Sequence, residues 1–598
     1  MSFPRMIGGV SRAWLLAAVF VLALPALPAG AQGFGGALDV ALSVGSDGAG
    51  LEAGRVFRVT ARLSDPATGL PVENAHLAGW IRPVDEGNVS CADAARSYFV
   101  NQGALPRGST DLSRSLYGVL HDDDRLAVVD WEHALASANI RAITGLPKGA
   151  RDIVALTEGY SFAVRAADGA IWRVAAAEGT EAERLPSEVT EVTSNGWLRR
   201  RDALVSPAGD DFGLPDGVKL LRPTLPDPDD GRDRGVLALG ADRAMLYRPD
   251  AAPQAFVAPS AASDVGYSDA ARAAIFTDGS ATLTLVFEGG VSIAAPLAAA
   301  AKRISVDPEG QFAIAWSPGS PVVSIVEIST ASVVQGIALN RAPVDQPLRE
   351  VAFAGTAAFL LLEKLDFVMV VDLEQARRGA VAAVRPVRLG PAVEDLPAGA
   401  GPFLVASQRG HDAGAVLALH PDLMTAFPVS QDSGNTTAPM NGFRIRGARP
   451  LGLAELNAAL KETAPGLHSA ATVLPRGGRY EVIVSGGPGN FTSCAQFEVE
   501  GETQSTLALR LRAIMRDGAV LLSIEDEDGQ TQRWPGALPV RMLALENGWR
   551  GSAVTKPRGA TLHSVDADDL PGGQVSIALD VVLPAGVSVA PATLEVRR

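Results

Sequence analysis

Residues 303–339 read RISVDPEGQFAIAWSPGSPVVSIVEISTASVVQGIAL, and this stretch decides the fold class. A short strand-like run ends at the turn-forming Asp307-Pro308-Glu309-Gly310, a strongly apolar run ends at Trp316, and Ser317-Pro318-Gly319 turns the chain into another apolar run. Apolar runs this short, punctuated by Gly and Pro, read as strands rather than helices. The phrasing recurs upstream in DVGYSDAARAAIFTDGSATLTLVFEGGVSIAAPL from Asp264 and downstream in REVAFAGTAAFLLLEKLDFVMVVDL from Arg349, with starts 39 and 46 residues apart. A period near that length with four short strands per unit is the pattern of a β-propeller, one unit per blade. Looser copies begin at Val119, Ile153, Gly235 and Gly401. At about 45 residues per blade, the span 115–430 predicts about seven blades, six or eight being the alternatives.

Outward from the propeller, the chain from Ala37 to about Ser90 alternates apolar and polar residues, with Phe57, Val59, Ala61 and Leu63 on one face. Asp65-Pro66-Ala67-Thr68-Gly69 breaks the alternation as a turn, so antiparallel strands are expected. The segment VTARLSDPATGLPVENAHL resembles the early strands of small immunoglobulin-like domains common in exported bacterial proteins. It ends before a sandwich of about seven strands is complete. The closing hairpin of such a domain is resembled by GLHSAATVLPRGGRYEVIVSGGPGNFTSCAQFEVEG, which stands after residue 440. The reading is therefore an all-β chain in which a propeller interrupts a β-sandwich. Residues 32–114 form the first half of the immunoglobulin-like domain, 115–430 the propeller, 431–500 the second half, and 501–598 a further β-sandwich. One helix is expected, over 453–462, where Leu453, Leu456 and Leu460 share a helical face.

The first 31 residues carry a targeting signal. Arg5 and Arg12 precede an apolar run from Ala13 to Leu24, and Pro25, Pro28 and Ala29-Gly30-Ala31 follow, which predicts a secretory signal peptide cut after Ala31. The run is shorter than the roughly 20 residues needed to span a bilayer, and no later segment reaches that length, so no membrane span is expected in the mature chain. Export places Cys91 and Cys494 in an oxidising compartment, where an even pair reads as a disulfide. Such a bond would bring both ends of the interrupted sandwich within about 7 Å at Cα. The net charge of −15, with 46 Arg but only 6 Lys and no basic run, argues against a nucleic-acid binder.

The propeller units resemble the broad superfamily of bacterial exported propellers that includes the haem d1 nitrite reductase propeller and the quinoprotein amine dehydrogenase heavy chains. That resemblance implies the fold and raises haem or a quinone as cofactor. The residues themselves predict none. Covalent haem needs C-x-x-C-H, which is missing, and the axial-ligand candidates His121, His133, His411 and His420 stand in no d1-type motif. His121, beside Asp122-Asp123-Asp124, reads as an exposed loop residue.

The seven His, completed by His76, His468 and His563, show no H-x-x-x-H pair, so no metal site is expected. A copper site of Cys91, Cys494 and His76 or His468 is the alternative to the disulfide. Asp227 to Asp233 has alternating carboxylates but lacks the distal bidentate Glu of an EF-hand, and reads as a solvated loop. Glu525 to Asp528 reads as a charged hairpin tip. Trp131, Trp172, Trp197 and Trp316 are read as core residues rather than a ligand-stacking face. No G-x-S-x-G elbow or phosphate loop stands in the chain, and no catalytic residue is assigned.

The expected function is that of an exported, non-enzymatic binding or assembly protein. It would act in the periplasm on a partner protein or in the maturation of a redox or metal enzyme. The alternative is a cofactor-carrying redox protein of the quinoprotein or haem d1 propeller type.

Overall fold

The computed structural model describes residues 38–596. Excepted are 47–49, 85–89, 101–104, 106–108, 131–139, 178–180, 208, 225–234, 250, 340–345, 407–413, 438–441, 488–490, 502–506, 517, 527–528, 534–536, 545–548, 568–569, 580–586 and 591. The expected signal peptide lies outside the described residues. The chain separates into two compact units, one holding the propeller and the interrupted β body, the other built mainly of Glu498–Arg598.

Between Ser115 and Asn457 the described residues form eight four-stranded antiparallel sheets. We number them as blades by the order of their first strands around the ring. Blade 1 is composite: its first strand, Pro450–Asn457, comes from the far end of the propeller and pairs with Ser115–His121, which continues into Arg125–Val129 and Ile140–Gly145. Blades 2 to 8 follow consecutively, with first strands starting at Asp152, Glu191, Leu220, Asp264, Arg303, Leu348 and Leu404. Each interface between neighbouring blades is filled by buried side chains. Ala163 and Ile171 of blade 2 meet Val189 and Val192 of blade 3, and the series continues through Trp197 with Leu221, Phe256 with Val265, Leu285 with Ile304, and Ile325 with Leu360. One continuous cluster then joins blades 7, 8, 1 and 2. The ring is therefore a closed propeller, in which each blade keeps only short, protected sheet edges.

The count of eight exceeds the sevenfold estimate because blade 3, from Glu191 to Gly213, has strands of only two or three residues and shows no apolar run in the sequence; the outer boundary is also displaced. Blade 1 takes its first strand from Pro450–Asn457, and strands Phe443–Arg444 and Pro450–Asn457, which complete blades 8 and 1, lie beyond the expected boundary at residue 430. The helix expected over 453–462 is not formed: Pro450–Asn457 is the closing strand, and Lys461–Ala464 begins the β body. Leu453 and Leu456 are both fully buried in that strand. A strand covered on both faces loses the alternation that would distinguish it from a helix.

The β body has two four-stranded sheets, each assembled from both ends of the chain. In the first, Asp39–Gly45 and Val56–Ser64 pair with Leu467–Val473 and Lys461–Ala464; in the second, Thr110–Asp111 and Ala78–Pro83 pair with Gly478–Ser485 and Thr492–Val499. Phe57 of the first touches Phe497 of the second, with ring centroids 5.8 Å apart. Arg82 and Glu481 face each other across the second sheet, both 7% exposed, with Nε donating to Oε2 at 2.9 Å. A helix that the sequence reading did not expect spans Cys91–Val100. Ser90 caps it, its Oγ accepting from the Asp93 N–H at 3.2 Å. Tyr98 of the helix stacks on the buried Trp80 at 4.4 Å.

The second unit has its own core. Its five-stranded sheet includes Leu507–Arg516 and Ala519–Glu525, and its four-stranded sheet includes Pro539–Ala544 and Gly573–Leu579. Buried Val520, Leu522, Val540 and Val575 belong to one core cluster in it.

Candidate functional site

In a propeller the first strands of the blades line the channel, and several charged residues stand on them. Asp152 opens blade 2, Asp264 opens blade 5, and Arg222 and Glu350 stand third in the first strands of blades 4 and 7. Asp264 is 1% exposed and serves three donors: Arg222 Nε at 2.8 Å, its neighbour Val265 N–H at 3.0 Å, and the Ile304 N–H of blade 6 at 3.2 Å. One carboxylate thus ties blades 4, 5 and 6 together at the channel end.

Glu350 does the same for blades 7 and 8. Its Oε2 accepts from the Phe403 and Leu404 N–H groups at 2.9 and 2.8 Å. The Glu350 side chain is largely buried, 22% exposed. Burial pushes its carboxyl up to about 7; the Phe403 N–H, the Arg349 guanidinium and the Leu404 N–H pull the other way, and Asp152 adds to the upward push. Burial also raises Asp152, with Arg165 opposing. Beside them Arg349 donates to the Ala400 carbonyl at 2.9 Å and lies over the Phe403 ring at 4.9 Å. Arg151 donates to the Ala398 carbonyl at 3.0 Å. These charged groups are committed to holding blades in place, which gives the channel end a fixed polar rim.

Two hollows lie elsewhere on the propeller. One of about 180 Å³ is lined by Gln311, Glu327, Ser329 and Arg377, and beneath it Asp307, 3% exposed, accepts from the Gln311 and Phe312 N–H groups. Burial pushes the Asp307 carboxyl up to about 6, against those two hydrogen bonds. Arg377 reaches both Asp307 and Glu309. The other hollow, about 400 Å³, is lined by Ile143, Pro147, Trp172, Glu181 and Ala182.

Three of the histidines raised by the sequence, His121, His420 and His468, hold backbone carbonyls. His121 is a correction: it ends a strand of blade 1 and is 3% exposed rather than an exposed loop residue, because its Nδ1 is bonded to the Ala448 carbonyl at 2.8 Å. Burial lowers its pKa against that bond. His420, fully buried at the matching position of blade 8, bonds the Pro391 carbonyl through Nε2 at 2.8 Å. Both carbonyls lie in the connector leading into the first strand of the same blade. His468 bonds the Ala75 carbonyl at 3.1 Å, His563 meets Thr555 Oγ1 at 3.3 Å, and His76 is exposed. His133, His411, Trp131 and Asp227 to Asp233 lie outside the described residues. Among the described residues no three His, Cys, Asp or Glu side chains come together as a metal-binding group.

Cys91 and Cys494 form a disulfide, with Cα atoms 6.2 Å apart across 403 residues of chain. It fastens the N-terminus of the Cys91–Val100 helix to the second sheet of the β body and leaves no thiolate for the copper alternative. Trp197 is fully buried, Trp316 is 8% exposed with Nε1 donating to Ser305 Oγ at 3.4 Å, and both pack in blade interfaces. Trp172 instead borders the larger hollow. The sequence reading missed Asp152, Asp264, Arg349 and Glu350. Their signal is position, the start of each blade's first strand, rather than a motif.

Strand order and closure define the chain as an all-β propeller protein. No family model matches the chain, and no curated protein matches it. Among solved structures it is similar to the dihydro-heme d1 dehydrogenase NirN in complex with DHE, at 12% identity over 63% of this chain and 83% of that one, with a TM-score of 0.41. Apo AztD from Citrobacter koseri is similar at 14% identity over 48% of this chain and 95% of that one, with a TM-score of 0.28. A functionally unknown protein from Desulfotomaculum acetoxidans is similar at 10% identity over 57% and 98%, with a TM-score of 0.35. These are likenesses of fold alone.

Proposed function

We propose that the protein is an exported binding protein whose propeller, at the channel end where the first strands begin, holds a periplasmic partner, either for assembly or for maturation of a redox or metal enzyme. The observation that supports this reading is the commitment of the polar rim. Asp264 accepts from three donors, one in each of blades 4, 5 and 6, and Glu350 binds two backbone N–H groups. Groups fixed in this way present a pre-formed surface, which favours recognition because little side-chain freedom is lost on binding. Export is supported by the Cys91–Cys494 disulfide, a bond that persists in oxidising compartments. Among the described residues no helix is long and apolar enough to cross a membrane.

Absorbance spectra and cross-linking test the proposal together. Protein purified from its native periplasm is expected to be colourless and to cross-link to a defined partner through residues at the channel end. A stoichiometric Soret or quinone band would overturn the binding reading in favour of a cofactor-carrying redox protein.

A further inference from the structure

The five-stranded sheet of the second unit buries one face and leaves the other open. Along Leu507–Arg516, Leu509 and Leu511 are buried in the core cluster and Ala513 packs against it, while Arg510, Arg512, Ile514 and Arg516 stand exposed at the intervening positions. On the neighbouring strand Ala519–Glu525, Val520, Leu522 and Ile524 enter the same core, so Leu521 and Ser523 share the open face, and the register sets Leu521 opposite Ile514. Lys556 joins them through Ser564, which pairs with Leu521, and Arg558 Nε donates to Ser564 Oγ at 3.0 Å. The face thus has an apolar centre, with Ile514 45% exposed, and cations around it.

Charge sets this face apart. Its outward positions carry the cations Arg510, Arg512, Arg516, Lys556 and Arg558 against the carboxylates Glu525 and Asp566, in a chain whose net charge is −15. Asp566 pairs with Lys556 at 2.8 Å and Glu525 with Arg512 at 3.2 Å, so the excess is positive. Apolar residues ringed by arginine have the composition of protein–protein contacts, in which the guanidinium groups meet carboxylates and the centre is desolvated. We propose that this face docks an acidic protein surface, one that brings Asp and Glu side chains to the arginines. A lipid surface fits less well, because faces seated in a membrane insert Trp, Phe or Leu, whereas among the described residues of this face Ile514 is the one large exposed apolar side chain. The face belongs to the second unit, so the proposal does not rest on the channel-end reading and the two can fail separately.

Fluorescence anisotropy of labelled poly-L-glutamate, titrated with the full mature chain, tests the face. Wild type is expected to bind at low ionic strength and to weaken as salt rises, because exposed charges are screened beyond about 8 Å at physiological salt. Arg510→Glu with Arg516→Glu should weaken binding at least about tenfold, and Arg510→Gln with Arg516→Gln about threefold. Reversing two exposed propeller arginines, Arg272→Glu with Arg378→Glu, should leave it within about twofold of wild type. The proposal is overturned if wild type does not bind poly-L-glutamate, if the propeller pair weakens binding as much as the sheet pair, or if phosphatidylglycerol vesicles are bound more tightly than poly-L-glutamate. Sedimentation of wild type as a dimer that Arg510→Glu with Arg516→Glu dissociates would overturn it too, by making the occupant a second copy. Should the Glu pair fail to fold, the Gln pair decides: affinity equal to wild type sinks the docking face.

Discussion

The arc of blades 7, 8, 1 and 2 is built differently from the arc of blades 3 to 6. In the first, a single cluster of buried side chains runs through all four blades and includes Ala471 and Val473 of the β body. In the second, each interface has its own small cluster, such as Trp197, Leu204, Leu221, Val236, Ala238 and Tyr247 between blades 3 and 4. Blade 3 is the leanest, with strands of two or three residues. The difference follows from closure. The strand that completes blade 1 arrives from Pro450–Asn457, and bringing distant chain ends together carries an entropy cost that must be offset where they meet. The strand pairing of distant segments and the packing of the β body against the propeller core are found on that side.

The largest test of this contrast is in the two cores. Phe162 is fully buried against Gly118 and Ile153, where blades 1 and 2 meet. Phe162→Ala is expected to lower unfolding free energy by about 3–5 kcal/mol, because the surrounding blades cannot collapse into the space. Leu204→Ala in blade 3 should lose only about 2 kcal/mol, since short strands around it can relax. Guanidinium unfolding of both variants measures the difference; a larger loss for Leu204→Ala would invert the comparison.

Next comes the covalent tie. Non-reducing peptide mapping should recover Cys91 linked to Cys494. Replacing both by Ser is expected to cost about 2–4 kcal/mol, short of the loop-closure value for so long a loop, because paired strands in both sheets already hold the two ends together. A loss near zero would show that strand pairing alone fixes the β body.

The two arcs also carry two carboxyls raised by burial, Glu350 in blade 7 at about 7 and Asp307 in blade 6 at about 6. A raised carboxyl binds its proton more tightly in the folded chain than in the unfolded chain. Its contribution to stability is therefore full below the ordinary carboxylate range and declines as pH rises, until it levels off above about 7 for Glu350 and about 6 for Asp307. Each contributes a loss on the order of 2–3 kcal/mol across that window. Glu350→Gln should flatten the decline between pH 6 and 7 in particular, and Asp307→Asn should leave that interval as it is. Denaturation midpoints at half-unit pH steps read the difference, and an unchanged slope in Glu350→Gln would remove Glu350 as its source.

The propeller was legible because second strands such as Ala357–Leu362 and Ala415–His420 are buried on both faces and appear as apolar runs at a regular period. Blade 3 wrote no such run, which cost one blade in the count, and the closing strand of blade 1 took on a helical spacing at Leu453 and Leu456, which hid it as a strand. The helix at Cys91–Val100 carries a short cap signal, Ser90 followed by Asp93. The channel rim was not legible at all. Asp152, Asp264, Glu350 and Gly401 are scattered along the chain, and only ring closure brings Glu350, Asp152 and Gly401 to one place.

The smallest expected effect concerns how connectors are held. In the closing arc, His121 and His420 bond the Ala448 and Pro391 carbonyls ahead of the first strands of blades 1 and 8. In blade 6 the equivalent task falls to a hydroxyl, with Ser317 Oγ donating to the Ala300 carbonyl at 2.9 Å and accepting from the Lys302 N–H at 3.0 Å. A buried imidazole removed by His420→Ala leaves both an unpaired carbonyl and a space, worth about 2 kcal/mol, whereas Ser317→Ala leaves a smaller gap beside partly solvated groups, worth about 0.5–1 kcal/mol. Because burial already lowers the His121 pKa, lowering the pH to 5 should weaken wild type and Ser317→Ala alike while affecting His121→Gln less. Equal losses for His420→Ala and Ser317→Ala would mean that the two arcs hold their connectors by the same energetics, and that the contrast between them resides in the core alone.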